Sequence, residues 1–295
     1  MRDFKPCTIA VAAGKGGTGK TLFATSLALA LHSVYPGQVQ LLDCDVEEPN
    51  AHILMKPHLS KTEPVHILMP HVNEKKCSKC GECAQACQYN AIALICDKIL
   101  VFPDLCNGCG VCTYICPRRA LEEKPLDVGK VSSGFTPEGI EFHMGALNVG
   151  TRRSGPTIKA VKRRINTQLI SILDSPPGTA CPMQETVEGA DFCILITEPT
   201  PFGLSDLIAA IETCTTLGIP CGVVINRDGP TDPGIETYCQ EKNIPLLLRI
   251  PEDKQIAIAY SRGETLTAAF PMYSKEFLTV YQAIAKYIYV NTCPD

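Results

Sequence analysis

Two groups of residues carry spacings that chemistry requires. The first is Gly14-Lys15-Gly16-Gly17-Thr18-Gly19-Lys20-Thr21. It fits the pattern G-x-x-x-x-G-K-[ST], whose glycines let the backbone turn so tightly that successive N–H groups face one anion. Lys20 is then placed to reach the β- and γ-phosphates of a nucleotide, and Thr21 to hold Mg²⁺. The second group is a pair of cysteine runs. Cys77-x₂-Cys80-x₂-Cys83-x₃-Cys87 repeats as Cys106-x₂-Cys109-x₂-Cys112-x₃-Cys116-Pro117. Three cysteines on one tight loop can reach three corners of an iron–sulfur cubane. The other chemistry open to them is zinc, but zinc sites pair two C-x₂-C knuckles and would leave four cysteines unexplained. Asn90-Ala-Ile and Arg119-Ala-Leu follow the runs at matching offsets, which makes the segment an internal repeat with a pseudo-twofold.

The surrounding elements must hold these groups in place. An apolar, β-rich run at 8–13 precedes the glycine loop, and a helical run at 22–31 follows it. The helix adds the positive end of its dipole to the anion site. Tyr35-Pro36-Gly37 separates that helix from a strand at 38–43, giving a parallel βαβ unit. Asp43 and Asp45 stand at the carboxyl end of the second strand, the edge where open α/β sheets bind ligands, and Cys44 between them reads as a buried small residue. A strand at 168–173 ends in Asp174-Ser-Pro-Pro-Gly178, and an aspartate there suits the outer shell of Mg²⁺. Further strands are expected at 140–149, 191–197, 221–226 and 246–250, with helices after Ser154-Gly-Pro156, at 203–217 and at 275–290. The last helix gathers Phe277, Tyr281, Ile284 and Ile288 on one face, which reads as packing on the sheet and not as membrane binding. Residues 57–76, with Pro57, Pro64 and Pro70, read as a boundary region holding at most a short strand at 65–69. Cys96, outside both cysteine runs, reads as a packed thiol.

The glycine loop carries a second lysine, Lys15. GKGGTGKT resembles the deviant Walker A loop of the MinD, ParA, Mrp and nitrogenase iron protein group, and the resemblance implies that Lys15 crosses a dimer interface to the nucleotide of the other subunit. LLDCD resembles that group's switch I region, which makes Asp45 the residue that orients the attacking water. DSPPG resembles its Walker B and switch II segment. By the same resemblance Asn226 reads the adenine edge, with Arg227 beside it, and Pro251-Glu252-Asp253 is similar to the loop that closes over adenine. The cysteine runs are similar to those of two-cluster bacterial ferredoxins, in which the fourth thiolate of each run ligates the other cluster. That implies one [4Fe–4S] cluster on Cys77, Cys80, Cys83 and Cys116, and another on Cys106, Cys109, Cys112 and Cys87. The first run departs from the pattern at Gln88, where ferredoxins have proline, but that proline binds no iron. The nitrogenase relative also makes Cys181, seven residues after Asp174, a candidate ligand for a bridging cluster. Against that, a shared four-iron cluster needs two cysteines from each chain, and 145–155 contains none.

Composition sets the outer bounds. A chain of 295 residues with 45% apolar and 20% charged side chains is an ordinary globular one. A net charge of −4 argues against nucleic-acid binding. The basic stretch Arg152, Arg153, Lys159, Lys162, Arg163 and Arg164 reads first as a solvated helix face, the sharper alternatives being docking of an acidic partner or nonspecific DNA contact as in ParA-like proteins. Seventeen cysteines, nine of them between Cys77 and Cys116, point to metal and not to disulfides, and no signal or bilayer-spanning run is seen, so a cytoplasmic protein is expected. The expected fold is α/β, a mainly parallel P-loop NTPase sheet of about seven strands with helices on both faces. A small α+β two-cluster ferredoxin domain at 71–125 interrupts it, leaving ATPase parts at 1–70 and 126–295. The implied cofactors are ATP or ADP, Mg²⁺ and two [4Fe–4S] clusters. The implied partners are a second copy or a related ATPase, and a redox or iron–sulfur protein, with no membrane. The implied function is ATP-driven dimerisation and hydrolysis coupled to electron transfer. The alternatives are a cluster carrier of the Mrp type and a ParA/MinD-type spatial organiser with a redox-sensing module.

Overall fold

Short apolar runs without alternation become strands buried on both faces. The computed structural model, which describes residues 4–229 and 234–292, forms them into one large sheet and one small one. In chain order the strands are β1 (Cys7–Ala12), β2 (Val39–Asp43), β3 (His58–Val72), β4 (Ile92–Ile95), β5 (Lys98–Val101) and β6 (Leu121–Phe135), then β7 (Glu141–Leu147), β8 (Ile170–Asp174), β9 (Phe192–Thr197), β10 (Cys221–Asp228) and β11 (Leu246–Pro251). The large sheet has the order β11-β10-β9-β1-β8-β2-β7-β6-β3. From β11 through to β7 every neighbouring pair is parallel. β1 thus lies between β9 and β8, and the glycine loop leaves its carboxyl end at the centre of the sheet.

The helix Lys20–Val34 buries Phe23, Leu27 and Leu31. The last helix, Tyr273–Thr292, meets it with Phe277, Tyr281 and Ile284, and the Phe23 and Phe277 rings stand edge to face at 4.9 Å. The Tyr281 hydroxyl donates to the Lys5 carbonyl at 2.8 Å, so its one polar atom is satisfied. The last helix therefore packs on the sheet as its periodicity requires. No helix among the described residues is long and apolar enough to cross a membrane.

The proline-rich stretch differs from expectation. It holds not a short strand but the fifteen-residue strand β3, and a boundary between compact units does fall within it, between Thr62 and Glu63. Its prolines are tolerated because β3 is the last strand of the sheet and one of its edges faces no partner. β6, also fifteen residues, carries glycines that obscured it; a Cβ at Gly134 would collide with the His58 carbonyl, so that strand needs a glycine where another backbone comes close. These two strands extend the seven parallel ones to nine.

The chain divides into two compact units, one of Met1–Thr62, Val131–Ala146 and Ile158–Asp295, the other of Glu63–Lys130 and Leu147–Thr157. Within the second unit β4 and β5 form an antiparallel pair, with Ile92 opposite Val101. The helices Glu82–Gln85 and Val111–Ile115 each begin after a left-handed glycine, Gly81 at φ 80° and Gly110 at φ 75°. The repeat seen in the sequence extends to the backbone. Asn90 and Arg119 both adopt positive φ, and the N–H groups of Ala91 and Ala120 donate to the sulfurs of Cys87 and Cys116 at 3.3 and 3.2 Å. Cys96 is exposed and not packed, because it occupies the left-handed turn between β4 and β5. Cys44 is buried.

Candidate functional site

A loop that wraps a phosphate needs φ angles that side chains resist. Gly17 and Gly19 supply them at φ 77° and 93°, and Gly19 caps the helix Lys20–Val34. Gly14 is needed for space, since a Cβ there would meet the backbone of Asp206 on the helix Pro201–Thr216. Beyond the loop lies a cavity of about 450 Å³, of a size that suits a small-molecule ligand. Its wall includes Gly16, Gly17, Gly19, Lys20, Thr21 and Asp45 on one side of the sequence, and Asn226, Arg227, Pro251 and Asp253 on the other. Residues over two hundred positions apart thus meet because β1, β9, β10 and β11 are successive strands of one sheet. The Asn226 side-chain amide donates to the Thr18 carbonyl at 2.8 Å, which ties the end of β10 to the loop. Asp253 caps the helix Lys254–Ser261, its carboxylate accepting from the Gln255 N–H at 2.7 Å. Gly14, Lys15, Thr18, Asp174 and Cys181 are not in the cavity wall.

Three aspartates gather at the carboxyl ends of adjacent strands. Asp43 and Asp174 are register partners on β2 and β8. Asp43 accepts N–H groups from Asp45, Asn50 and Ala51 at 3.0–3.1 Å, yet burial and then Asp174 keep its acidity weakened. Asp174 is fully buried, and neither carboxylate oxygen makes a well-formed hydrogen bond, although the Thr21 hydroxyl lies close enough to favour its charged form. Burial pushes its pKa up to about 7, with Asp45 adding to the rise and Thr21 and Lys20 opposing it. Asp45 rises to about 6, again from burial, while Lys20 pulls it down. A buried carboxylate beside a threonine hydroxyl can accept from the water shell of a hydrated Mg²⁺.

Lys15 does not line the cavity. Its ammonium pairs with Glu198 at 3.0 Å, and the other oxygen of Glu198 takes Arg227 at 2.5 Å. Arg227 holds this position from a left-handed backbone, φ 55°, a strained choice for a non-glycine residue. Sequence reasoning missed Glu198. The signal was available, because Glu198 is one residue past β9 at the same sheet edge as Asp43 and Asp45. Cys181 begins the helix Cys181–Val187 and is exposed.

The second unit holds two smaller cavities. Cys77, Cys80, Cys83 and Cys116 stand in the wall of one. Cys87, Cys106, Cys109 and Cys112 stand in the wall of the other. These are the quartets obtained when the two runs exchange their fourth cysteines. Burial raises the thiols of Cys83 and Cys112, and the Gly108 N–H donates to the Cys106 sulfur at 3.4 Å. Among the described residues no three His, Cys, Asp or Glu side chains converge as ligands of a single ion. Each cavity presents four cysteines along its wall.

The sequence pattern described as the CobQ/CobB/MinD/ParA nucleotide binding domain matches residues 9–266. An uncharacterised protein of Methanocaldococcus jannaschii is 31% identical over 261 residues, 87% of this chain and 90% of its own length. An uncharacterised ATP-binding protein of the same organism is 25% identical over 266 residues, 89% and 81% of the two lengths. Among solved structures, the septum site-determining protein MinD of Pyrococcus horikoshii, complexed with Mg-ADP, superposes with a TM-score of 0.57. Its identity is 18%, with 95% of this chain and 96% of that one covered, and at that identity the likeness is one of fold.

Proposed function

The chain belongs to the CobQ/CobB/MinD/ParA nucleotide-binding family, and from that premise we propose that it is a Mg²⁺-dependent ATPase whose nucleotide state controls electron transfer through two [4Fe–4S] clusters. The ATPase half follows from the family and from the glycine loop. Lys20 neutralises the β- and γ-phosphates, Thr21 holds Mg²⁺, and the buried carboxylate of Asp174 takes the water shell of that ion. Asp45 orients the attacking water, and Asn226, Arg227, Pro251 and Asp253 border the base. In a dimer, Lys15 leaves Glu198 and reaches the nucleotide of the second copy, which is another molecule of this chain or a related ATPase.

The observation that carries the electron-transfer half is the sorting of eight cysteines into the walls of two cavities, four in each. Bound there, clusters supply one-electron chemistry at low potential. The chain's own part is to hold eight thiolates permanently, which favours keeping the clusters over delivering them to a redox or iron–sulfur partner. Anaerobically prepared protein is expected to hold about eight irons per chain and to show a coupled-spin signal when reduced. Stoichiometric zinc without visible absorbance would overturn this half. Lys20→Ala is expected to lose at least about tenfold in ATP affinity, about 1.4 kcal/mol, and most turnover, with its iron unchanged; normal ATP affinity and turnover in that variant would overturn the first half.

The comparisons lie nearer to a second reading, a spatial organiser of the ParA/MinD type in which the cysteine module senses redox state. Its support is the fold shared with a septum site-determining protein. The two readings separate on one measurement, the rate at which a dye oxidises the reduced protein with and without ATP. A rate and potential indifferent to ATP favour the organiser. The exposed Cys181 bears on the carrier reading. Iron above two clusters per chain in the ATP-bound dimer, lost in Cys181→Ser, would favour it.

A further inference from the structure

The two cysteine quartets are related by a sequence repeat, and their surroundings repeat as well. Each cavity has one glutamate in its wall, Glu82 at the first and Glu123 at the second. Each fourth cysteine accepts one backbone N–H, from Ala91 or Ala120. On these features alone two identical clusters would have nearly equal reduction potentials, because cluster type, local charge and hydrogen bonds to sulfur set the potential.

Two contacts break this symmetry, both at the second quartet: the Gly108 N–H donates to the Cys106 sulfur at 3.4 Å, and Arg153 reaches the backbone beside it. Leu147–Thr157, distant in sequence from both runs, belongs to the same compact unit as they do. The Asn148 N–H donates to the Val128 carbonyl at 3.1 Å and ties the segment down. From it, half-buried Arg153 donates through Nε to the Asp104 carbonyl at 3.1 Å and through Nη1 to the Cys106 carbonyl. Asp104 and Cys106 bracket the start of the second run, and Cys106 is in the wall of the second cavity. A guanidinium keeps its charge at every working pH. Fixed against the backbone of a ligand cysteine, it favours whichever state of a bound cluster carries one more electron.

We propose that Arg153 is a positioning residue that raises the reduction potential of the Cys87, Cys106, Cys109 and Cys112 site above that of the Cys77, Cys80, Cys83 and Cys116 site. The second quartet is then where an added electron rests. This rests on the cluster reading proposed above. It uses a residue whose sequence context gave no link to the cysteine runs.

The test is a dye-mediated potentiometric titration of the anaerobic, iron-loaded full-length protein, followed by electron paramagnetic resonance. Wild type is expected to show two separated midpoints. In Arg153→Gln the upper midpoint falls while the lower one stays, and the separation shrinks by at least about 59 mV, a tenfold change in how the electron is shared. Arg153→Lys keeps a charge and is expected to retain most of the separation. Arg152→Gln removes the same charge from an exposed neighbour and is expected to leave it unchanged. Midpoints in Arg153→Gln that stay put or fall together would overturn the proposal. So would a loss in Arg153→Lys as large as that in Arg153→Gln, which also covers a glutamine variant that misfolds. Iron counts separate the two levels of failure. Wild type without about eight irons per chain fails the cluster reading and this one with it, whereas full iron without the shift fails this one alone.

Discussion

Asp174 ends β8 with both carboxylate oxygens buried and without a well-formed hydrogen bond, and that has a cost the protein must show when no nucleotide is bound. Asp174 titrates at about 7 and Asp45 at about 6, far above an ordinary aspartate. Below about pH 4, where an unfolded aspartate is also protonated, the folded state pays nothing for them. As pH rises through the two folded values the folded protein must release protons it prefers to keep, so stability falls. The nucleotide-free protein is therefore expected to have a higher urea midpoint at pH 5 than at pH 8. His143, whose pKa burial lowers, works in the opposite sense. Asp174→Asn isolates the aspartate part and is expected to flatten the fall, and an unchanged slope in that variant would contradict the assignment. Glu198 gives a second residue-scale prediction. Lys15 is about a third exposed, so its ion pair contributes at most about 1 kcal/mol to stability. Glu198→Gln is expected to leave the unfolding midpoint within that range while dimerising at lower ATP concentration, as read by sedimentation. A variant that needs more ATP than wild type would show that Glu198 assists the dimer and does not restrain Lys15.

At the scale of elements, the packing of the last helix on the first is the largest contact made by segments at opposite ends of the chain. Phe277 is fully buried in it. Phe277→Ala removes the ring and leaves a cavity, at a cost of about 3–5 kcal/mol. The expected result is a lower urea midpoint with an unchanged slope. Because the glycine loop begins the helix that Phe277 supports, ATP affinity is expected to fall as well. Gly14 is the complementary case. Its missing Cβ is what lets the helix Pro201–Thr216 lie against the loop, so Gly14→Ala must push one of them aside. Weaker ATP binding with iron unchanged is the expected outcome, measured by calorimetry and iron assay, and unaltered binding would mean that the helix yields freely.

For the molecule as a whole, the two units differ in what holds them. The first has a core running across the sheet and both terminal helices, from Ile9 and Val11 to Tyr281 and Ile288. The second has a small core centred on Cys83, Ile92 and Leu121, three of whose neighbours, Cys87, Cys112 and Cys116, are further cysteines of the quartets. A core of that size needs staples, and clusters would provide them. Oxidative removal of iron is expected to open 63–130 to protease while 158–229 stays intact and ATP still binds. Mass spectrometry of the fragments checks this. Equal resistance with and without iron would show that the second unit stands on its apolar contacts alone.

Local chemistry wrote much of this into the sequence. The glycine loop, the flanking strand and helix and the carboxylates at the strand ends are contiguous or near-contiguous signals. The cysteine repeat is also contiguous in the sequence, while its division into two quartets came from the resemblance to two-cluster ferredoxins. Tertiary structure decided the rest, since it depends on which distant segments become neighbours. Pro64 and Pro70 read as breakers, and only the place of β3 at the sheet edge makes them admissible. Glu198 is an unremarkable acid until the parallel order of β9 and β10 sets it between Lys15 and Arg227. Arg153 is one of several basic residues until its segment folds onto the unit that holds the cysteines. A one-dimensional pattern records what each residue can do, while the contacts that use it are fixed by strand order and packing.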